Sequence, residues 1–281
     1  MEIIKSKVAK DYNLLLFSDI HYGTKLYSAA ALGELIETLS KPGTYGICGG
    51  DWIDAITTDD KRYDDVSMGL KPSEQRDHVI KFFTPVRNKL LGGLMGNHEL
   101  KLHRVGDMAK EICHGLDIPY GTYSSIFEMY DKNGLQFKLF YTHGRHLFTS
   151  NAKDPEQKEA NMKAALKMTL KMKFADCLVM AHAHCHKLLV VPPSRELYLT
   201  AETVEGRKKI VQHYMETGDV NPTYIPPDNR YYCATGSFLR LFRMGASGYG
   251  EVFGYDPIPL GWVEMRVRDG KVFDVTKREV N

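Results

Sequence analysis

Short unbroken apolar runs punctuate this chain. Leu14-Leu15-Leu16-Phe17 at the centre of residues 12–18, Tyr45-Gly46-Ile47-Cys48 and Cys177-Leu178-Val179-Met180-Ala181 read as strands buried on both faces, the habit of a parallel sheet. Between them, apolar positions recur at helical spacing. Residues 28–39 bring Ala29, Leu32, Leu35, Ile36 and Leu39 to one face, and Lys41-Pro42-Gly43 closes that helix. Residues 73–91 align Val79, Phe82, Phe83, Val86 and Leu90, and residues 154–174 align Met162, Leu166 and Leu170. This alternation of strand, helix and strand predicts an α/β layered sheet.

Turn residues refine the picture. Asn133-Gly134, flanked by 126–130 and 135–141, is the strongest hairpin signal, and Asp269-Gly270 marks a second hairpin within 261–276. Gly92-Gly93-Leu94-Met95 predicts a short strand, as do residues 231–235, which turn at Gly236-Ser237. Residues 59–65 read as a mixed-charge surface loop. Residues 188–230 break the pattern with Pro192-Pro193, Pro226-Pro227, the basic run Arg207-Lys208-Lys209, and Tyr198, Tyr214 and Tyr224. The expectation is one domain over 1–281 with an insertion at 188–230. That insertion either covers one side of a site or meets another copy, and the pattern leaves the oligomeric state open.

Composition narrows the class. The 281 residues are 43% hydrophobic and 26% charged with a formal net charge of +2, so the chain can bury a large core, and charge alone gives no nucleic-acid signal. No apolar run reaches bilayer length, and Met1-Glu2-Ile3-Ile4-Lys5 lacks a signal-peptide pattern. Five widely spaced cysteines without a CxxC (Cys48, Cys113, Cys177, Cys185, Cys233) read as core residues in a reducing, cytoplasmic compartment. Lys163, Lys167 and Lys171 share a helix face that reads as solvated.

The chemistry lies where the apolar runs stop. Tyr45-Gly46-Ile47-Cys48 ends at Gly49-Gly50-Asp51, two glycines delivering a carboxylate to a sheet edge. Other runs end at Asp19-Ile20-His21, Asn97-His98, His143 and His182-Ala183-His184. In extended backbone, residues two apart share a side, which pairs Asp19 with His21 and His182 with His184. His186 has the same parity but lies farther along, as a surface or supporting residue. Taken singly, Asp19 is an ordinary helix cap and Asn97-His98 an ordinary turn. Together, Asp19, His21, Asp51, Asn97, His143, His182 and His184 make seven oxygen and nitrogen donors at strand ends, where ligands of open α/β sheets gather. Seven donors exceed one tetrahedral zinc and suit two ions sharing the Asp51 carboxylate; without a thiolate the set favours Mn²⁺, Fe or Zn²⁺ over Cu(I).

These blocks resemble the signature blocks of the calcineurin-like metallophosphoesterases: Asp19-Ile20-His21, Gly50-Asp51-Trp52-Ile53-Asp54, Gly96-Asn97-His98-Glu99, His143-Gly144 and His182-Ala183-His184. They span residues 19 to 184, and Gly236-Ser237 resembles the glycine-serine turn that often follows. Ala181 stands where the last block usually begins with glycine. The resemblance implies a four-layer αββα sandwich and two divalent ions, Mn²⁺ first, with Fe, Zn²⁺ or Ni²⁺ as alternatives. One ion would be held by Asp19, His21, Asp51 and His184, the other by Asp51, Asn97, His143 and His182. His98 resembles the family's general acid, and Asp54 and Glu99 resemble supporting residues. A hydroxide bridging two cations about 3.5–4 Å apart would attack phosphorus. Arg145, His146, Lys187, His103 and Arg104 flank the blocks and are candidates for binding substrate. The resemblance points first to a phosphodiesterase on nucleotides or nucleic acid, a class that includes the SbcD-like nucleases. A phosphomonoesterase or lipid-headgroup pyrophosphatase is the alternative among enzymes, and a non-catalytic binding scaffold the alternative outside them.

Overall fold

The strand that carries Leu14 to Phe17 buries both of its faces, and each face serves a different core. The computed structural model describes residues 1–57, 70–104, 106–194, 197–214, 223–245, 249–252 and 254–280, so the loop expected at 59–65 lies outside the described residues. The first half runs β1 (Glu2–Lys7), β2 (Tyr12–Phe17), α1 (Ala29–Ser40), β3 (Thr44–Cys48), α2 (Pro72–Phe83), β4 (Leu90–Gly93), α3 (Asn97–Lys101) and α4 (Met108–Gly115). It continues through β5 (Ser124–Asp131), β6 (Gly134–Thr142), α5 (Pro155–Leu170), β7 (Val179–His182) and β8 (Leu188–Val191). The remainder is β9 (Leu197–Val204), β10 (Arg207–Tyr214), β11 (Tyr231–Thr235), α6 (Tyr249–Val252), β12 (Leu260–Arg268) and β13 (Lys271–Val280).

The fold is mixed α/β. Strands order as β13-β12-β2-β3-β4 in one sheet and β1-β5-β6-β7-β11-β8 in another, with β9 and β10 as a separate ribbon. Leu15 and Phe17 pack with Leu32, Leu35 and Leu39 of α1, Val79 and Phe83 of α2 and Ile112 of α4. Leu14 and Leu16 turn the other way, onto Val263 and Met265 of β12, Phe127 of β5, Leu139 of β6 and Val179 of β7, so this second core draws on both large sheets. Leu166 and Leu170 of α5 cover the far face of the second sheet with Phe140, Met180 and Tyr232. Each fully buried leucine contributes about 1.5–3 kcal/mol.

Local chemistry sets the helix ends. Ser28 Oγ accepts from Ala31 N at 3.3 Å, and Asp154 Oδ1 accepts from Gln157 N at 2.8 Å with Pro155 in the first turn. The helix expected over 73–91 is shorter. It stops at Phe83, tightens into a 3₁₀ turn over Thr84–Lys89, and becomes β4 at Leu90. Pro85 is the cause, because it has no N–H for the Lys81 carbonyl and its ring would collide there. Val86 and Leu90 are buried all the same, at 2% and 5% exposure, so their helical spacing reflects burial and not helix.

Parallel pairing brings the decisive strand ends together. Phe17 lies opposite Cys48 across β2 and β3, and Thr142 opposite His182 across β6 and β7. The Tyr141 hydroxyl joins the two sheets, donating to the Phe17 carbonyl at 2.9 Å and lying 2.9 Å from Thr235 Oγ1. Within 188–230, β8 pairs antiparallel with β11, and β9 pairs only with β10 among the described strands. Buried Arg230 ties this stretch to the end of α5 by donating to the carbonyls of Ile225, Lys171 and Lys173. Among the described residues no helix is long and apolar enough to cross a membrane.

Two glycines give opposite expectations. A Cβ at Gly49 would run into the Tyr141 hydroxyl, whereas one at exposed Gly33 in α1 would meet nothing within 4 Å. Gly49→Ala should destabilise the fold by about 1–3 kcal/mol, and Gly33→Ala should stabilise it by about 0.5–1 kcal/mol. Urea denaturation midpoints of both variants check the two signs.

Candidate metal centre

The strands stop before the site begins, and the backbone beyond them is not extended. β2 ends at Phe17, and Asp19 and His21 adopt left-handed φ of 52° and 49°. β7 ends at His182, and His184 adopts 58°. The parity expected from extended backbone therefore fails as an explanation, although Asp19 and His21 do reach the same cluster. Backbone bonds hold the unusual conformation: Asp19 N donates to Gly50 O at 3.0 Å, and Ile20 N and His21 N donate to Asp51 O at 2.8 and 3.1 Å. Gly50, at φ 97°, presses against the Gly96 backbone, where a Cβ would sit 2.6 Å from Gly96 N.

Asp51 is fixed from several directions. Its Oδ1 accepts from His98 N at 2.9 Å, and a Cβ on Gly96 would collide with that oxygen. Buried Glu99 accepts from Asp51 N (3.2 Å), Ile53 N (3.1 Å) and Gly96 N (2.8 Å), clamping the loops after β3 and β4 together. The second oxygen, Oδ2, faces His143 Nε2 at 3.4 Å and His21 Nε2 at 3.7 Å. Asp19 is held through Oδ2, which accepts from Ser18 Oγ at 2.6 Å and His184 N at 3.1 Å.

The histidines are oriented by what their Nδ1 atoms bond. His143 Nδ1 donates to Gly49 O at 2.8 Å, His182 Nδ1 to Ala183 O at 2.5 Å, and His98 Nδ1 to Asp54 O at 2.5 Å. His21 Nδ1 lies 3.1 Å from Asp54 Oδ1. A proton on Nδ1 leaves the lone pair of a neutral ring on Nε2, the usual tautomer of a supported metal ligand. His143 Nε2 lies 2.8 Å from Asn97 Oδ1, so either a proton or a cation must separate those two lone pairs.

The site's fit to a cation rests on donor atoms without partners. Asp19 Oδ1, His21 Nε2, His182 Nε2 and His184 Nδ1 are buried and make no hydrogen bond among the described residues. Burying polar atoms unpaired costs about 1–3 kcal/mol each, and a cation would satisfy such atoms together. Asp19, Asp51, His143 and His184 converge closely enough to share an ion, as do Asp19, His21 and His186, and His21, Asp51 and His98. His182 falls outside these three groups, its Nε2 against Gly144, where a Cβ would collide with it.

Charge follows the same geometry. Burial opposes ionisation of Asp51, but His143, His98 and His21 hold its carboxyl well below the ordinary range. Asp19 is lowered likewise, with burial opposed by His186, His21 and His143, and Asp54 with burial opposed by His21 and His98. Burial would lower His21, but Asp19, Asp54 and Asp51 raise it to about 10; His143 rises to about 9 against burial through Asp51 and Asp19. Burial pushes His182 and His186 down to about 4 and lowers His184. Burial, with Asp51 beside it, lifts Glu99 to about 7.

Around this cluster, Arg145 and His146 are exposed, Arg145 beside the Tyr123 hydroxyl and the His146 ring 6.3 Å from that of His182. Lys187 is half-buried, and its carbonyl accepts from Gly236 N at 3.0 Å. His103 and Arg104 are exposed beyond α3. Three residues enter the site without having been given a place in it by the sequence pattern. The His186 Nδ1 lies 3.6 Å from Asp19 Oδ1, Ser237 Oγ donates to Asp19 O at 3.1 Å, and Tyr123 donates to Gly144 O at 2.6 Å. Ser237 and His186 were visible as a turn and a parity match; Tyr123 carried no signal.

No protein-family model matches this chain, and no curated protein matches it. Among solved structures, it is similar to a conserved uncharacterized protein, a predicted phosphoesterase, from Streptococcus pneumoniae TIGR4. The likeness covers 96% of this chain and 100% of that one, at 11% identity and a TM-score of 0.34. So loose an overlap carries no functional argument, and the residues of the site must carry it instead.

The neighbouring carboxylates raise His21 to about 10 and His143 to about 9, so a cation that takes their lone pairs should displace protons. Binding of Mn²⁺ at pH 7 should release about two protons per chain, and affinity should rise as pH climbs through about 9 toward about 10. Calorimetry in buffers of different ionisation enthalpy measures the release. Affinity that stays flat from pH 6 to pH 9 would contradict this protonation state.

Proposed function

We propose that this chain is a dinuclear metal-dependent phosphoester hydrolase on a four-layer αββα sandwich, with the two large sheets face to face and helices outside each. The observation that carries the reading is the set of unpartnered buried donor atoms on Asp19, His21 and His184, which lie within reach of a shared ion with the pinned carboxylate of Asp51. Asp19, His21, Asp51 and His184 would hold one ion; Asp51, Asn97, His143 and His182 would hold the other. Mn²⁺ suits this oxygen- and imidazole-rich set, as do Fe, Zn²⁺ and Ni²⁺. When bound, such a pair supplies Lewis acidity, neutralising phosphoryl oxygens and acidifying water.

The chain's own residues do the rest. Asp54 holds His21 and His98 by their Nδ1 edges, and Glu99 fixes the backbone on which Asp51 rides. With Nδ1 of His98 committed to the Asp54 carbonyl, Nε2 is the atom that passes a proton to the leaving oxygen. Exposed Arg145 and His146 beside the cluster suit a phosphodiester of a nucleotide or nucleic acid, with Arg145 positioned by Tyr123. The described cysteines are all buried free thiols, which suits a reducing cytoplasmic setting.

Hydrolysis of bis-p-nitrophenyl phosphate should require added Mn²⁺ and run faster than hydrolysis of the monoester. Asp51→Asn should lower kcat/KM by at least about 10³-fold. No metal-dependent turnover would favour a binding scaffold, and a monoester preference would move the reading to a phosphomonoesterase.

His98→Ala separates acid from scaffold within the site. It should keep both ions yet lose about 10²–10⁴-fold on an alkyl diester, and far less on a nitrophenyl ester, whose leaving group needs no proton. Equal losses on both would assign His98 to positioning.

A further inference from the structure

We propose that His186 is a metal ligand, binding through Nδ1 the same ion as Asp19 and His21. This rests on the metallohydrolase reading above and enlarges its ligand set, since the sequence pattern gives His186 no ligand role. Asp19 Oδ1 is buried, accepts no hydrogen bond among the described residues, and faces two imidazole nitrogens at nearly equal range. His186 Nδ1 is 3.6 Å away and His21 Nε2 is 3.8 Å away. Both separations are too long for hydrogen bonds. They lie near the roughly 3.0–3.6 Å between two ligand atoms that each sit about 2.1 Å from a five-coordinate ion.

The backbone repeats itself here. His184 and His186 take left-handed φ of 58° and 50°, mirroring Asp19 and His21 at 52° and 49°. Between the two histidines the chain makes a tight turn, Cys185 N donating to Ala183 O at 2.6 Å. A left-handed non-glycine residue is strained, and such strain persists where the surroundings need a side chain in that place. The first strained pair delivers Asp19 and His21 to the cluster, and the second delivers His184 and His186 to the same carboxylate.

Ser237 sets the ring. Its hydroxyl donates to Asp19 O at 3.1 Å and accepts from Leu239 N at 3.0 Å. With that proton committed to Asp19, the 3.1 Å bond to His186 has Nδ1 as donor, and it keeps this edge of the ring turned toward Asp19. An ion on Nδ1 would replace this bond, and the ring proton would then reside on Nε2. An added imidazole raises the nitrogen share of this ion's donors, which favours Zn²⁺, Ni²⁺ or Fe²⁺ over Mg²⁺.

The test is titration of the chelator-treated chain with Zn²⁺ by calorimetry, with Co²⁺ absorbance as a second readout, in the parent and in His186→Gln. The parent should bind two ions. The variant should lose affinity for one by at least about 100-fold, keep the other, and change the ligand-field bands of the weakened site. Unchanged affinities and bands would overturn the role of His186 while leaving the metal site standing; a parent that binds no Zn²⁺ would overturn both. Because a substitution at a strained position can disturb the fold, ¹⁵N-histidine spectra of the parent decide independently. On addition of Zn²⁺, His186 Nδ1 should take the shift of a metal-bound nitrogen while Nε2 carries the ring proton, and an unmoved Nδ1 would refute the assignment.

Discussion

Asp51 cannot move without the loops around it moving too. One oxygen is pinned by His98 N, its own N–H is taken by Glu99, and the Cα of Gly96 fills the space behind it. Everything else in the site is placed relative to that carboxylate. Asp19, Asp51, Asp54 and Glu99 are all nearly or fully buried within the same few turns, an arrangement that costs several kcal/mol per ionised group unless positive charge is at hand. His21 and His143, which these carboxylates draw toward protonation, offset part of that cost, and Glu99 eases it by being raised toward neutrality. A concentration of buried carboxylates of this kind is what a bound cation would stabilise.

The same constraint explains where the fold accepts strain. Asp19, His21, Asp51, His184 and His186 all sit at left-handed φ, and all belong to the cation-sized clusters. Strand ends set these residues near one another, but only a reversed backbone turns alternate side chains inward once the strand pairing has ended. The buried cores on either side of β2 provide the rigidity against which that strain is held.

Much of this was legible in the chain. Apolar runs that halt at Asp19, Asp51, His143 and His182 mark strand ends, and parallel pairing makes those ends neighbours, so the mixed α/β fold and the nearness of Asp19, Asp51 and His143 followed from pattern. The reasons were less legible. Period-two parity suggested extended backbone at Asp19 and His184, whereas tertiary contacts impose the left-handed region there. Helical spacing at Val86 and Leu90 survived a proline that ends the helix, because burial imposes spacing on any segment. β1 and α4 are too short and too sparsely apolar to declare themselves, with Ile4 and Ser6 alone buried in the first. His186 shows the limit most clearly, because its distance to Asp19 depends on one tight turn at Cys185 that no residue type announces.

The central claim is that a single carboxylate lies between two cations. Anomalous diffraction from crystals of this chain soaked in Mn²⁺ tests it most directly. The account predicts two manganese peaks flanking Asp51, one toward Asp19 and His21 and one toward Asn97 and His143. A single peak, or none within reach of Asp51, would contradict it.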